Sequence, residues 1–325
     1  MYAAGVAISL LVMRLWRVPL FGVACLLAAM AMHSRPLNGA PDPTPAAAGP
    51  EAAETHFRNS VAFIRGHIGD SGPYWFLIDT GASRSALDLS VARSLALENG
   101  SPTRVEGSAG TIDAETVRLP ELRLAGNVVA RAIEPTVYDL SGSLAPEGAT
   151  IAGIIGYDLL KDFALTIEPR TGFVALASNP EPFLREGGQV VPFTLDNNIP
   201  RVRATIDGMG LDLRLDTGAS IGPGPTLFVN VTQAFFDGLR SAEPSLQPYT
   251  HFTASGTGGE IRLPVVRGRT LRLGGLHLGE PHVIVQPPVG YFGRPEAVGF
   301  LGSYSLQGLS RFIVDYPRRR LILYP

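Results

Sequence analysis

The pentapeptide Asp-Thr-Gly-Ala-Ser occurs twice in this chain, at residues 79–83 and 216–220. Each copy follows a short, largely apolar run, at 76–78 and at 213–215. An apolar run indicates a buried strand, and an acid, a hydroxyl and a glycine after it indicate a turn at the strand end. At about 5% usage per residue type, a given five-letter string recurs by chance in roughly one such chain in 10⁴. The repeat therefore supplies two similar carboxylates from two similar pieces of chain.

Composition restricts the possible fold classes and argues against nucleic-acid binding, disulfide bonds and metal sites. The chain has 325 residues, enough for two domains or one large bilobal unit, and its 37 glycines and 27 prolines favour many short strands joined by turns. The net charge is −2 and no basic stripe is present, which argues against nucleic acid. Cys25 is the single cysteine, so no disulfide can form within the chain, and the histidines lack metal-ligand spacing. We therefore expect no metal and no cofactor.

The N-terminal segment predicts export. Residues 1–32 are apolar apart from Arg14 and Arg17, and residues 29–31 form a small-x-small cleavage pattern. A charged region followed by an apolar region of this length is typical of a signal peptide. The alternative is an uncleaved membrane anchor, because the residues before Arg14 are also apolar. Residues 33–54 are rich in Pro and Ala, which predicts a linker with polyproline character.

The remainder of the chain divides into two lobes that repeat the same order of features. We place the first at 55–180 and the second at 188–325. In the first lobe the acid motif is followed by Gly-Ile-Ile-Gly at 153–156, and in the second by Gly-Phe-Leu-Gly at 299–302. The spacing of the two acids, 216 − 79, is 137 residues. A period this long with two copies indicates an internal duplication rather than a solenoid.

Two carboxylates from duplicated lobes predict one shared site at the lobe interface. Like charges about 3 Å apart cannot both ionise, so one proton is shared and the two apparent pKa values separate. The ionised member can take a proton from a water molecule, and the protonated member can donate to a carbonyl oxygen. This is general acid–base attack of water on an acyl carbon. Asp79 and Asp216 are the candidate catalytic residues.

The chain resembles aspartic proteases of the retropepsin and pepsin group. The matching residues are Leu-Ile-Asp-Thr-Gly-Ala-Ser at 77–83, Leu-Asp-Thr-Gly-Ala-Ser at 215–220, and the two apolar strands between glycines at 153–156 and 299–302. The resemblance is to exported bacterial single-chain members with two retropepsin-like repeats, and it extends over roughly 56–325. It implies an all-β, bilobal acid-protease fold. The two duplicated, β-barrel-like lobes would carry short helices and enclose the active site in the cleft between them.

The resemblance also implies a function and a set of site residues. The chain would be an aspartic endopeptidase with a polypeptide substrate and no cofactor, active as a monomer. It would be periplasmic, or anchored in the inner membrane and facing the periplasm. Besides the catalytic acids, the loops that support them would comprise Thr80, Gly81, Ser83, Thr217, Gly218 and Ser220. Candidate flap tips over the substrate are Gly107, Gly110, Gly256 and Gly258.

The sequence departs from the pepsin pattern in ways that predict different behaviour. The two acids are closer in sequence than in pepsins, and no tyrosine marks the first flap tip. Ala82 and Ala219 stand where pepsins often have a hydroxyl residue that could hydrogen-bond the ionised pair. Without such a bond the pKa of the pair should rise, so we expect an optimum nearer neutral pH than that of pepsin. After the first motif, apolar residues at near-helical spacing predict a short helix from Ser85 to Leu97, whereas Pro and Gly at 221–225 predict that no such helix follows the second motif.

Three alternatives to an aspartic protease fit the presence of the two acids. The acids could cap backbone amides in ordinary turns, which is common for a lone Asp-Thr-Gly. The chain could be a catalytically silent peptide-binding module of the same fold. It could also be a glycosidase with paired acids, although that chemistry needs two acids in distinct settings. The duplicated context disfavours the first and third alternatives, and the second remains open.

Overall fold

The computed structural model describes residues 12–14, 55–58, 60–106, 111–124, 128–131, 133–143, 145–221, 227–256 and 259–325. The predicted signal or anchor at 1–32, apart from Val12–Arg14, and the predicted linker at 33–54 lie outside the described residues. In the part of the chain that the structure describes, no helix is both long and apolar enough to cross a membrane.

The first lobe is built mainly from short strands. Its strands and helices, together with the N-terminal strand, are β1 (Val12–Arg14), β2 (Thr55–Arg58), β3 (Val61–Ile68), β4 (Ser71–Ile78), β5 (Ala86–Asp88), α1 (Leu89–Ser94), β6 (Asn99–Glu106), β7 (Thr111–Val117), β8 (Glu121–Leu124), β9 (Val128–Arg131), β10 (Thr136–Tyr138), β11 (Ile151–Ile155), α2 (Tyr157–Leu160), β12 (Ala164–Glu168) and β13 (Phe173–Ala177).

A 3₁₀ turn at Glu181–Phe183 leads into the second lobe. The strands and helices of that lobe are β14 (Gln189–Asp196), β15 (Ile199–Ile206), β16 (Met209–Asp216), β17 (Ser220–Ile221), β18 (Phe228–Thr232), α3 (Gln233–Ala242), β19 (Thr250–Gly256), β20 (Gly259–Arg267), β21 (Leu271–Leu273), β22 (Leu276–Gly279), β23 (His282–Gln286), β24 (Gly299–Gly302), β25 (Arg311–Asp315) and β26 (Arg320–Tyr324). Two further 3₁₀ turns lie at Gly290–Gly293 and Ser303–Leu306.

Each lobe has a parallel strand pair at its centre. In the first lobe β11 runs parallel to β4, and in the second β24 runs parallel to β16. All residues of β11 and β24 are buried. A strand covered on both faces needs a nearly continuous apolar sequence, which explains the unbroken apolar character of the two Gly-bounded segments. Both acid motifs therefore begin at the ends of core strands.

One sheet joins the two lobes. Strands β13 and β12 of the first lobe continue into β25, β26 and β14 of the second, in that order. The joining pair is antiparallel, with Leu165 of β12 opposite Val314 of β25. The side chains of both residues are fully buried in the main hydrophobic core. The lobes thus share backbone hydrogen bonds and a common core beneath the cleft.

The structure confirms the predicted all-β fold with two lobes and short helices. One local expectation was wrong, because the pattern of apolar residues predicted a helix from Ser85 to Leu97. The helix runs only from Leu89 to Ser94, and Ala86–Asp88 form a strand between β10 and β11. The carboxylate of Asp88 accepts hydrogen bonds from the amides of Ser90 and Val91. An aspartate in this position starts a helix, so the regular spacing of leucines extends beyond the helix itself.

Arg311 and Glu168 form an ion pair at the sheet that joins the lobes. Arg311 lies on β25, and its Nε donates to Oε1 of Glu168 on β12 at 2.9 Å. The side chains are only 7% and 15% exposed, and a second guanidinium nitrogen donates to the carbonyl of Phe183. Removing one member of such a pair leaves the other charge without its partner in a poorly solvated position.

We predict that Arg311→Ala lowers the free energy of unfolding by about 3 kcal/mol, because Glu168 loses its buried partner and keeps only the more exposed Arg185 at 3.5 Å. Urea denaturation measures the effect. Arg118→Ala is the matched control, since Arg118 pairs with Glu134 at the surface and its side chain is 78% exposed. The control should change stability by less than about 1 kcal/mol. Equal effects of the two substitutions would contradict the prediction.

Candidate active site

Strand pairing determines where the two acids lie. Asp79 directly follows β4, and Asp216 is the last residue of β16. The amide of Asp79 donates to the carbonyl of Ile155 on β11 at 3.0 Å, and Gly302 of β24 lies opposite Asp216. Both acid-bearing strands have hydrogen-bonded neighbours on each side, β3 and β11 in one lobe and β15 and β24 in the other. The backbone at each acid is therefore held in place by the core of its own lobe.

Two threonines connect the acid loops across the lobe boundary. The hydroxyl of Thr80 donates to the carbonyl of Leu215 at 2.8 Å and accepts from the amide of Thr217 at 3.1 Å. In the reverse direction, the hydroxyl of Thr217 donates to the carbonyl of Ile78 at 3.0 Å and accepts from the amide of Thr80 at 3.0 Å. Both threonines are buried. Four reciprocal hydrogen bonds thus place one acid loop in register with the other.

The glycines of the two motifs permit a close crosswise approach. A Cβ atom on Gly81 would lie 2.6 Å from Cγ of Asp216, and one on Gly218 would lie 2.4 Å from Cγ of Asp79. Both distances are shorter than carbon atoms tolerate without a covalent bond. Each carboxyl group therefore packs against the glycine of the opposite lobe, and any side chain at either position would displace it.

The two carboxyl groups face each other in a nearly dry environment. Asp79 is 0% exposed and Asp216 is 9% exposed. Oδ1 of Asp79 accepts from the amide of Gly81 at 2.7 Å, and Oδ1 of Asp216 accepts from the amide of Ala219 at 2.8 Å. The charge of Asp79 lies close enough to Asp216 to raise the pKa of Asp216. Two like charges this close in a buried site cannot both ionise, so the pair retains one shared proton.

Burial is the largest cause of the raised pKa of Asp216. Burial, and then the nearby charge of Asp79, raise the pKa of Asp216 well above its ordinary value. Hydrogen bonds from the amides of Ala219 and Gly218 act in the opposite direction but do not outweigh these effects. Water cannot solvate a second negative charge here, so the singly protonated pair is favoured over a wider range of pH.

The other residues predicted from the sequence occupy less central positions. Ser83 lines the cleft, and its carbonyl accepts from Nδ2 of Asn198 at 3.5 Å. Ser220 begins the two-residue strand β17. Gly256 is the last residue of β19 and pairs with Gly259 of β20. The other predicted flap-tip residues, namely Gly107, Gly110 and Gly258, lie outside the described residues.

Asp216 and Gly81 line a cleft of about 730 Å³ whose wall comes from both lobes. Sequence analysis did not identify several of the residues in its wall, which are Glu106, Asp196, Arg214, Tyr291, Arg294 and Phe300. One of them carried a usable signal: Arg214 precedes Asp216 by two residues in a strand, which places both side chains on the same face. Within the described residues, no cluster of three or more His, Cys, Asp or Glu side chains could hold a metal ion.

An ion pair connects the two lobes across the cleft. Arg294 of the second lobe lies 2.7 Å from Glu106, the last residue of β6 in the first lobe. Both residues line the cleft. Strand β6 leads into the hairpin tip that the sequence marks as a candidate flap, so this pair ties the base of that tip to the opposite lobe.

Comparison with known proteins agrees with this geometry. Residues 64–159 match the family described as aspartyl protease. The matched segment contains Asp79, its loop and strand β11, and it ends before the second motif. No curated protein matches the chain. The family match supports a function of aspartic-protease type.

We predict that Thr80→Val lowers the free energy of unfolding by about 2 kcal/mol, because it leaves a buried carbonyl and a buried amide without their hydrogen bonds. Valine has nearly the shape of threonine, so the change removes the hydroxyl without leaving a cavity. Thr80→Ser, which keeps the hydroxyl, should lose less than about 1 kcal/mol. Guanidinium denaturation gives both values. The prediction fails if the valine and serine variants are equally stable.

We predict that Asp216→Asn raises the melting temperature at neutral pH. Burial and the charge of Asp79 raise the folded-state pKa of Asp216 above its unfolded-state pKa. Its contribution to stability is therefore complete below the unfolded-state pKa and is lost as the pH rises through the folded-state pKa. Asparagine cannot ionise, so the advantage of the variant over wild type should grow as the pH rises. Thermal melts between pH 3 and pH 8, on the order of one unit apart, measure this trend.

Asp212→Asn is the matched control, and we expect it to change the stability at neutral pH in the opposite direction. Burial alone would raise the pKa of Asp212, but hydrogen bonds from Arg201 and Arg203 outweigh it and lower the pKa. That carboxylate contributes stability above its unfolded-state pKa and loses it as the pH falls through the folded-state value. The control should therefore be less stable than wild type at neutral pH. The same sign for both variants would contradict the assignment of the buried acid pair.

Proposed function

We propose that this chain is a single-chain aspartic endopeptidase, which hydrolyses peptide bonds with a water molecule activated between Asp79 and Asp216. The observation that carries the proposal is the crosswise approach of these two carboxyls. They come from opposite lobes, each packs against the glycine of the other acid's loop, and Asp216 lines the cleft. The match of the first lobe to aspartyl proteases supports the same reaction class.

The mechanism follows from the single shared proton. The ionised carboxyl takes a proton from water as the water oxygen attacks the carbonyl carbon, and the protonated carboxyl donates to the carbonyl oxygen. A tetrahedral diol forms without a covalent bond to the protein. In its collapse, a proton passes to the leaving nitrogen and the carbon–nitrogen bond breaks. The pair again holds one proton at the end of the cycle.

The hydrogen-bonded backbone around the acids suits this chemistry. The amides of Gly81 and Ala219 each donate to one carboxyl oxygen, which orients the groups before any substrate binds. The crossed threonine bonds keep the two carboxyls at a constant separation. Preorganisation of this kind lowers the cost of reorganisation during the reaction. The two acids stand in equivalent loops, which does not favour a glycosidase, whose two carboxyl groups have distinct roles and settings.

The site needs only one copy of the chain, because both carboxyls come from the same polypeptide. We therefore propose a monomer that acts on a polypeptide entering the cleft between the lobes. The charged and apolar N-terminal segment supports export, either to the periplasm or to the periplasmic face of the inner membrane. A catalytically silent peptide-binding module is the competing function, and the following experiment distinguishes the two.

We predict that Asp79→Asn lowers kcat/KM for cleavage of an unfolded protein by about 10³-fold or more, because the pair loses one of its two acid–base groups. Wild type should also be inhibited by a statine-type peptide, which mimics the tetrahedral diol. Mass spectrometry of the products measures cleavage. Asp70→Asn is the matched control, since the Asp70 side chain is exposed on the first lobe, and it should retain wild-type activity. If wild type and Asp79→Asn both bind peptide and neither cleaves it, the silent module is correct.

A further inference from the structure

The two positions beside the acids differ sharply between the lobes. Leu77 and Arg214 each precede their acid by two residues, so each lies on the same strand face as that acid. Leu77 is fully buried in an apolar cluster. The Arg214 side chain is 16% exposed and lines the cleft together with Asp216. The position two residues before the acid is thus a buried core residue in the first lobe and a cationic residue of the cleft wall in the second.

Arg214 is held in a defined orientation. Its Nε donates to Oδ2 of Asp196 at 2.9 Å, and its guanidinium carbon lies 3.9 Å from the ring centroid of Tyr291. One hydrogen bond and one stacked ring immobilise the planar group, so less entropy is lost when it binds a ligand. Among the described residues, none accepts a hydrogen bond from the two terminal nitrogens of Arg214. Those nitrogens are therefore available to a group in the cleft.

The ion-paired side chains around Arg214, counted without the acid pair and its one negative charge, have a positive sum of charges. Asp196 neutralises Arg214, while Asp212 is shared between Arg201 and Arg203. These three arginines and two aspartates carry a net charge of 3 − 2 = +1. A guanidinium group recognises a carboxylate through charge-assisted hydrogen bonds, which are stronger than those to a neutral amide.

Apolar groups complete the wall around the guanidinium. Tyr291, Phe300, Ile199 and Val298 line the same cleft. An aliphatic stem can pack against these groups while its terminal carboxylate reaches Arg214. A glutamate side chain has this combination, whereas a leucine has the stem and lacks the acceptor.

We propose that Arg214 is a specificity-determining residue, which selects an acidic side chain, glutamate above all, at one of the two substrate residues that flank the scissile bond. The inference rests on the proposed endopeptidase function and names the substrate class for that site.

Two matched sets of peptides test the proposal. In both sets Glu, Gln or Leu is placed in turn at each residue flanking a central bond. The first set has an ordinary peptide bond and reports cleavage. The second has a reduced, non-cleavable bond and reports binding by fluorescence anisotropy. We expect wild type to bind the Glu peptide about tenfold or more tightly than the Gln peptide at one of the two positions, and to cleave it with a correspondingly higher kcat/KM.

Three variants test whether Arg214 causes the preference for Glu. Arg214→Leu, which copies Leu77, should remove the preference for Glu and favour Leu at the same position. Asp196→Asn removes the competing carboxylate and should increase the ratio of Glu to Gln affinity. Asp196→Asn also tests the role of Arg214 if the Arg214→Leu variant folds poorly. Arg203→Leu is the control, because Arg203 belongs to the same charge cluster, is 68% exposed and does not line the cleft. It should keep the preference for Glu.

The possible results separate this inference from the proposed function. Equal affinity for Glu and Gln at both positions, or an Arg214→Leu variant with the wild-type preference, would overturn the inference even if peptides are cleaved. Preferred binding of Glu without any cleavage would support the subsite and contradict the endopeptidase function. Failure of every peptide to bind would contradict both.

Discussion

The structure depends on the contact of two buried carboxyl groups that belong to different lobes. Each group would be costly to bury alone, and together they are stable only when one proton is shared and the surrounding amides donate to them. This requirement explains the glycines at 81 and 218, since a Cβ atom at either would collide with the opposite carboxyl. It also explains the crossed threonine bonds, which hold the two loops at a constant separation. The sheet that both lobes share then holds the lobes together through backbone hydrogen bonds.

The two lobes place their acids in the same way and surround them differently. In both, a core strand ends at the acid and a parallel strand runs beside it. Two residues earlier, one lobe has Leu77 and the other has Arg214. Leu77 is buried in an apolar cluster, whereas Arg214 lines the cleft beside Asp216. Duplicated lobes can therefore place their acids alike while one of them adds a charged group to the cleft wall.

Much of the fold could be predicted because its signals are local. The end of a buried strand, the turn at Asp-Thr-Gly and the repeated order of motifs are all contained in short stretches of sequence. The error in the prediction was local as well. The spacing of leucines predicted a helix from Ser85, but the helix starts later because the carboxylate of Asp88 caps the amides of Ser90 and Val91. The surroundings of Arg214 could not be predicted, since Asp196 and Tyr291 lie on other elements and meet it only after the lobe folds. The same holds for the pair Glu106–Arg294, whose members belong to different lobes.

The sequence by itself determined which groups can do chemistry here: two acids in the same five-residue context, each at the end of a core strand, with no cysteine pair to stabilise the chain. Those features are set by residue type and by spacing along the chain, and both can be read without coordinates. Tertiary structure alone decided that the two carboxyls touch, that burial raises the pKa of Asp216, and that an arginine stands beside them in the cleft wall. The reason is that desolvation and hydrogen bonding depend on which surfaces pack together, and the packed groups here are more than a hundred residues apart.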